Sequence, residues 1–106
     1  MAKVIWTEPA LTDLHEIIEY IARDSEIYAE RFGTKVIQAP RRLKEFPYSG
    51  RIVPEFNEDT IRELIYGAYR IIYKYKADES SSYIVAVIHG SRDILKHLKP
   101  GEWNIE

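Results

Sequence analysis

The sequence predicts an α+β domain in the order β-αα-βββ, an antiparallel sheet with an N-terminal helical hairpin packed on one face. Three observations carry this. Two long stretches near the start repeat apolar residues at helical spacing. Two later runs, rich in Ile and Tyr, are joined by the two-residue turn Gly67-Ala68. A third apolar run, Tyr83 to Ile88, reads as a strand buried on both faces.

Each element follows from its residues. Lys3-Val4-Ile5-Trp6 is a short β-type run. Thr7 then offers an N-cap oxygen, and Glu8-Pro9 places an acid and a proline in a first helical turn, where a missing N–H costs nothing. Ala10, Leu14, Ile17, Ile18 and Ile21 share one face, so the first helix is expected over about residues 8–23. Ser25 is the next N-cap. The second helix carries the stripe Tyr28, Phe32, Val36, Ala39, Leu43 and Phe46, which keeps its phase across Pro40. A proline inside a helix removes one hydrogen bond and clashes with the preceding turn, which predicts a kinked helix there.

Phe46 to Arg51 reads as a stop and turn, followed by an irregular stretch through Asp59 with another proline at position 54. Ile61 to Tyr66 and Tyr69 to Lys76 are the strands of a hairpin. In the second of them Tyr69, Ile71, Tyr73 and Tyr75 point one way, and Arg70, Ile72, Lys74 and Lys76 the other. Asp78 to Ser81 turns the chain into the last strand, Ser82 to His89. Residues 92–98 are expected to form a helical turn, and Pro100-Gly101 to open a tail.

Composition bounds the function. The 106 residues are 45% hydrophobic and make one domain, 1–106, without repeats or linkers. Cys is absent, which excludes disulfides, thiolate metal sites and a cysteine nucleophile. No apolar run approaches the ~20 residues of a membrane helix, and the first residues have no signal-peptide core, so a cytoplasmic protein without a membrane partner is expected. The net charge of −2 hides an uneven distribution: residues 1–34 carry −4, residues 35–76 carry +4 and residues 77–106 carry −2. A basic middle on an acidic scaffold suits an anionic partner, although uneven charge on a solvated surface is the commoner outcome.

No Gly-rich phosphate loop, Gly-x-Ser-x-Gly elbow or metal-spaced His pair occurs, so neither a cofactor nor a metal is expected. What remains is a basic row on one sheet face. Arg70, Lys74 and Lys76 share a strand face, Arg62 is one hairpin turn away, and Arg92 follows the last strand just past His89. Such cations could pair with phosphate oxygens, or simply solvate an open sheet face. Arg70 stands between aromatic and apolar neighbours, where an unpaired charge would be expensive. His89 ends an apolar strand at a turn and could act as a proton donor or base, or be a hydrogen-bonded structural residue. His15 and His97 read as surface residues.

Taken in order, five runs resemble the RelE/ParE superfamily of toxins from type II toxin–antitoxin and plasmid-stabilisation systems. They are Trp6-Thr7-x-x-Ala10-x-x-Asp13-Leu14, Phe46-Pro47-x-Ser49-Gly50-Arg51 with Pro54-Glu55, Ile61-Arg62-Glu63-Leu64, Tyr69-Arg70-Ile71-Ile72-Tyr73 and Val87-Ile88-His89-Gly90-Ser91-Arg92-Asp93. The resemblance implies a small sheet with a helical hairpin, a cognate antitoxin partner forming a hetero-oligomer with it, and one of two activities. RelE-like members cleave mRNA on the ribosome without a metal; ParE-like members poison DNA gyrase. On the nuclease reading Arg70, Arg92 and His89 are the implied catalytic residues. On either reading Arg62, Arg70, Lys74 and Arg92 are the implied nucleic-acid or target contacts. The paired lysines of the nuclease group are not matched, Glu63 standing in that strand, and no Tyr follows Tyr83. The resemblance is therefore nearer the gyrase-poisoning side.

Overall fold

The computed structural model describes residues 1–98 and Trp103. The tail expected to open at Pro100-Gly101 lies outside the described residues. Strand β1 (Lys3–Trp6) leads into helices α1 (Glu8–Ala22) and α2 (Glu26–Gln38), then a 3-10 segment (Ala39–Lys44). Strands β2 (Arg51–Ile52), β3 (Ile61–Tyr66), β4 (Tyr69–Lys76) and β5 (Ser81–His89) follow, and α3 (Ile94–His97) closes the order.

Both helix starts are capped as the sequence predicts. The Thr7 hydroxyl accepts from the Ala10 N–H and the Ser25 hydroxyl from the Tyr28 N–H. Thr7 does more, because its hydroxyl and backbone N–H both donate to the Ile84 carbonyl, at 2.7 and 3.1 Å. The start of α1 is thereby stitched to β5.

Pro40 does not kink an α-helix. It stands at the start of a 3-10 helix, where its missing N–H breaks no ladder, and it is buried with Leu43 one 3-10 turn later. The predicted stripe is therefore real from Phe32 to Leu43, but its two ends are not in the core. Tyr28 is 61% exposed and Phe46 62%.

The sheet order is β1-β5-β4-β3-β2. Every pairing is antiparallel except that of β1, which runs parallel to β5 with Lys3 opposite Ser81 and Trp6 opposite Ile84. The two-residue strand β2, where a turn passing into an irregular stretch is expected, pairs with β3. The β3–β4 turn needs Gly67, whose φ of +56° is left-handed. Gly50 has a different role. A Cβ there would stand 2.7 Å from both the Glu63 carbonyl and the Tyr73 hydroxyl, so only glycine lets this loop lie on the sheet. Its N–H donates to the Tyr73 hydroxyl, which donates to the Pro47 carbonyl.

The helices cover one sheet face through Ala10, Leu14, Phe32, Val36 and Leu43, packed on Leu64, Ile71, Tyr73, Ile84 and Val87. The opposite face, expected to be open and basic, holds a second apolar cluster. Ile61, Ile72, Val85, Ala86 and Ile88 form its floor, with Val53, Ile94, Leu98 and Trp103 over them. A bulge makes this possible. The β4–β5 register steps from Ile72↔Ala86 to Tyr73↔Ile84, so Val85 has no partner on β4 and joins Ala86 on the second face. Burying each such aliphatic chain contributes about 1.5–3 kcal/mol, which explains why this face is not a row of solvated cations.

Candidate functional site

The structure separates the cations that the sequence groups together. Arg70 lies on β4 with its side chain 8% exposed. Its Nε donates to Glu63 at 2.5 Å, and its two terminal nitrogens grip Glu55 at 2.9 and 2.8 Å. The other oxygen of Glu63 is held by Arg51 Nε, also at 2.5 Å. Glu63 is fully buried, so two arginines and two carboxylates form one network of zero net charge. The Arg70 hydrogen bonds hold the Glu55 carboxyl down at about 2, and those carboxylates push the Arg70 guanidinium further above its ordinary value. Arg70 thus has the partners that its apolar surroundings demand.

Arg62 does not share a face with Arg70. It stands opposite Tyr73, towards the helical side. Its guanidinium donates to the Asp59 carbonyl and carboxylate and to the carbonyls of Tyr48 and Gly50, and it lies 5.0 Å over the Tyr48 ring. It pins the 48–59 loop to β3. Lys74 is partly exposed and makes no ion pair with a described residue, whereas Lys76 pairs with Glu79 at 2.9 Å.

His89 and Arg92 do come together. They line a cleft of about 220 Å³ between α1 and the end of β5, with Asp13, Glu16, Tyr20 and Tyr69 on the other walls. The His89 ring stands edge-on to Tyr69 at 5.3 Å. Ser91 donates its backbone N–H to His89 Nδ1 at 3.1 Å, and its hydroxyl lies 2.7 Å from the same nitrogen. In the neutral ring the proton therefore sits on Nε2. Arg92 is exposed and makes no ion pair with a described residue. This cleft offers a cation, an imidazole and two phenols, set against two carboxylates.

Asp13 is the member that sequence reasoning missed. β1 ends at Trp6, so the outer edge of β5 is unpaired beyond Ile84, and Asp13 accepts from the Val87 N–H at 3.1 Å. It also faces His97 Nε2 at 3.4 Å, which makes His97 a half-buried partner rather than a surface residue. Burial pushes the Asp13 carboxyl up, and burial likewise raises the Tyr69 phenol. The signal was available: Asp13 belongs to the first of the five runs, three residues after the buried Ala10 and next to the buried Leu14. Among the described residues no group of three or more His, Asp or Glu side chains is arranged to hold a metal ion.

The family model described as the ParE toxin of a type II toxin–antitoxin system, parDE, matches residues 4–94. The chain belongs to this family. It is also 36% identical to a protein named Toxin RelE2 from Caulobacter vibrioides, over 87% of this chain and 99% of that one. The fold is shared with the chromosomal ParDE system of P. aeruginosa, with a TM-score of 0.67 at 17% identity over 84% of this chain and 96% of that one. The RelBE2 toxin–antitoxin complex of Mycobacterium tuberculosis matches with a TM-score of 0.61 at 22% identity over 83% and 90%. The isolated E. coli RelE toxin matches with a TM-score of 0.55 at 11% identity over 92% and 93%. The α+β fold expected from the sequence is thus the fold of both branches of the superfamily.

Proposed function

We propose that this toxin arrests growth in the cytoplasm by binding and poisoning DNA gyrase, and that a cognate antitoxin neutralises it in a hetero-oligomeric complex. The observation that carries the reading is the Arg51–Glu63–Arg70–Glu55 network. Metal-free RNA cleavage needs cations free to stabilise the charge on a pentacovalent phosphorus, together with an acid and a base. Arg70, the cation best placed on the sheet for that purpose, is already neutralised by two carboxylates. Here it is a positioning residue that joins β3, β4 and the Glu55 loop. Target contact falls to Arg92 and His89 at the cleft, with Lys74 as the remaining unpaired cation on β4.

A second reading has one specific observation behind it. His89 and Arg92 share a cleft, so an imidazole able to transfer a proton lies beside a free guanidinium, as a metal-independent, ribosome-dependent mRNA endoribonuclease would use them. Controlled induction separates the two readings. Gyrase poisoning predicts an SOS response and filamentation with translation intact. Rapid loss of translation with cleaved mRNA, and no SOS response, supports the nuclease instead. The antitoxin is tested by searching the flanking genome for a small reading frame and co-expressing it; its product should abolish toxicity and co-purify with this chain, and the absence of such a frame would sink the pairing.

A further inference from the structure

We infer that the 3-10 segment and the loop after it form a binding ridge for single-stranded nucleic acid, with Arg41, Arg42 and Lys44 on phosphates and Phe46 and Tyr48 against bases. Of the nine cations between residues 35 and 76, Arg51, Arg62, Arg70 and Lys76 each hold a carboxylate within 2.9 Å. Lys35, Arg41, Arg42, Lys44 and Lys74 hold none among the described residues, and all but Lys74 fall between residues 35 and 44. The positive charge of the middle third is therefore concentrated on one short stretch.

Pro40 determines how that stretch presents its charge. A 3-10 helix has three residues per turn, so side chains three apart lie in one column. Pro40 and Leu43 form the buried column. Arg41 and Lys44 form a second, exposed column, and exposed Arg42 tops the third. Two arginines and a lysine thus project from adjacent faces of a rigid turn anchored by Leu43.

Aromatic groups continue the ridge. Phe46 is 62% exposed and belongs to neither core cluster, and Tyr48 is 47% exposed. The Tyr48 ring is braced by Arg62 and by an edge contact with Tyr75 at 5.1 Å. Cations that track a backbone, followed by exposed rings that accept bases, are what a single strand needs. An acidic peptide would satisfy the cations but leave both rings without a role, so the nucleic acid is favoured. The ridge shares no lining residue with the His89–Arg92 cleft, and the inference does not depend on which target that cleft serves.

The test uses the full-length protein and fluorescent 12-mers of oligo-dT and oligo-U, read by anisotropy across a salt series. Both strands should bind. The R41A/R42A/K44A variant should weaken binding more than tenfold and lower the salt slope by about 2, since single strands release about 0.7 counterion per phosphate contact. Phe46→Ala should weaken binding about tenfold at an unchanged slope, as loss of one base stack predicts. Lys3→Ala/Arg23→Ala/Arg31→Ala removes equal charge from the acidic third and should leave binding intact. Circular dichroism and melting confirm that each variant is folded. Wild-type affinity in the R41A/R42A/K44A variant, an equal loss in the control variant, or an unchanged affinity in Phe46→Ala overturns the inference. So does tighter binding of a labelled oligoglutamate than of either oligonucleotide. If only one of the two strands binds, the ridge stands and is assigned to that nucleic acid.

Discussion

Arg70 and Arg92 are the two arginines that the sequence marked most strongly, and the structure treats them in opposite ways. Arg70 sits in mid-strand with its side chain 8% exposed and bonds two carboxylates. Arg92 follows β5, is exposed, and makes no ion pair with a described residue. Residue type did not distinguish them, and the apolar neighbours of Arg70 gave only a hint. Burial does: a guanidinium flanked by Tyr69 and Ile71 on a covered strand must be paired, whereas one at the mouth of a cleft is free to meet a partner. The basic row is thus two things, a paired structural network inside and an exposed rim outside.

The comparison is broken most directly by removing one partner from the inner network. Glu63→Ala leaves Arg70 buried without its inner carboxylate, and should lower unfolding stability by about 3–5 kcal/mol in denaturant titration. Replacing both members, Arg70→Met with Glu63→Leu, should recover most of that loss, because Arg51 and Glu55 can both return to solvent. A double variant no more stable than Glu63→Ala would contradict the zero-charge account. Gly50→Ala, which drives a methyl into the Glu63 carbonyl and Tyr73 hydroxyl, should cost about 1–3 kcal/mol.

Asp13 sharpens the cleft side. Asp13→Leu removes the acceptor of the Val87 N–H and should cost about 1–3 kcal/mol. Asp13→Asn keeps an acceptor and removes a charge that burial disfavours. The folded-state pKa of Asp13 is raised, so its ionisation costs stability as pH rises through that value. Asn should therefore equal or exceed wild type at neutral pH. The Glu55 carboxyl has the opposite sign. Its pKa is lowered from 4.5 to about 2, so its contribution is present above 4.5 and is lost as pH falls towards 2. In Glu55→Gln that segment of the stability–pH curve should flatten. The smallest effect is expected at Arg92→Ala, with stability within about 0.5 kcal/mol of wild type.

The helices were legible because local signals define them: Thr7 and Ser25 cap their starts, and Phe32, Val36 and Leu43 repeat at helical spacing. The β3–β4 hairpin was legible for the same reason, through Gly67-Ala68. The parallel pairing of β1 with β5 was not, since nothing local in Lys3–Trp6 names Ser81–Ile84 as its partner. The second core was hidden because Val53, Phe56, Ile94, Leu98 and Trp103 are scattered singly through segments without a period. The Arg70 network lay between these cases. A two-residue turn at 67–68 places Glu63 opposite Ile72, one diagonal step from Arg70, so that pair could be derived from hairpin register. The grip of Glu55 could not, because it depends on how an irregular loop returns to the sheet.

The central claim is that Arg70 builds this toxin while Arg92 acts for it. The deciding measurement is growth arrest on induction, comparing Arg92→Ala with Arg70→Met/Glu63→Leu at matched soluble levels. The account predicts that the folded Arg92→Ala protein is no longer toxic and that the double variant arrests growth as wild type does. A toxic Arg92→Ala, or a stably folded double variant without toxicity, would contradict it.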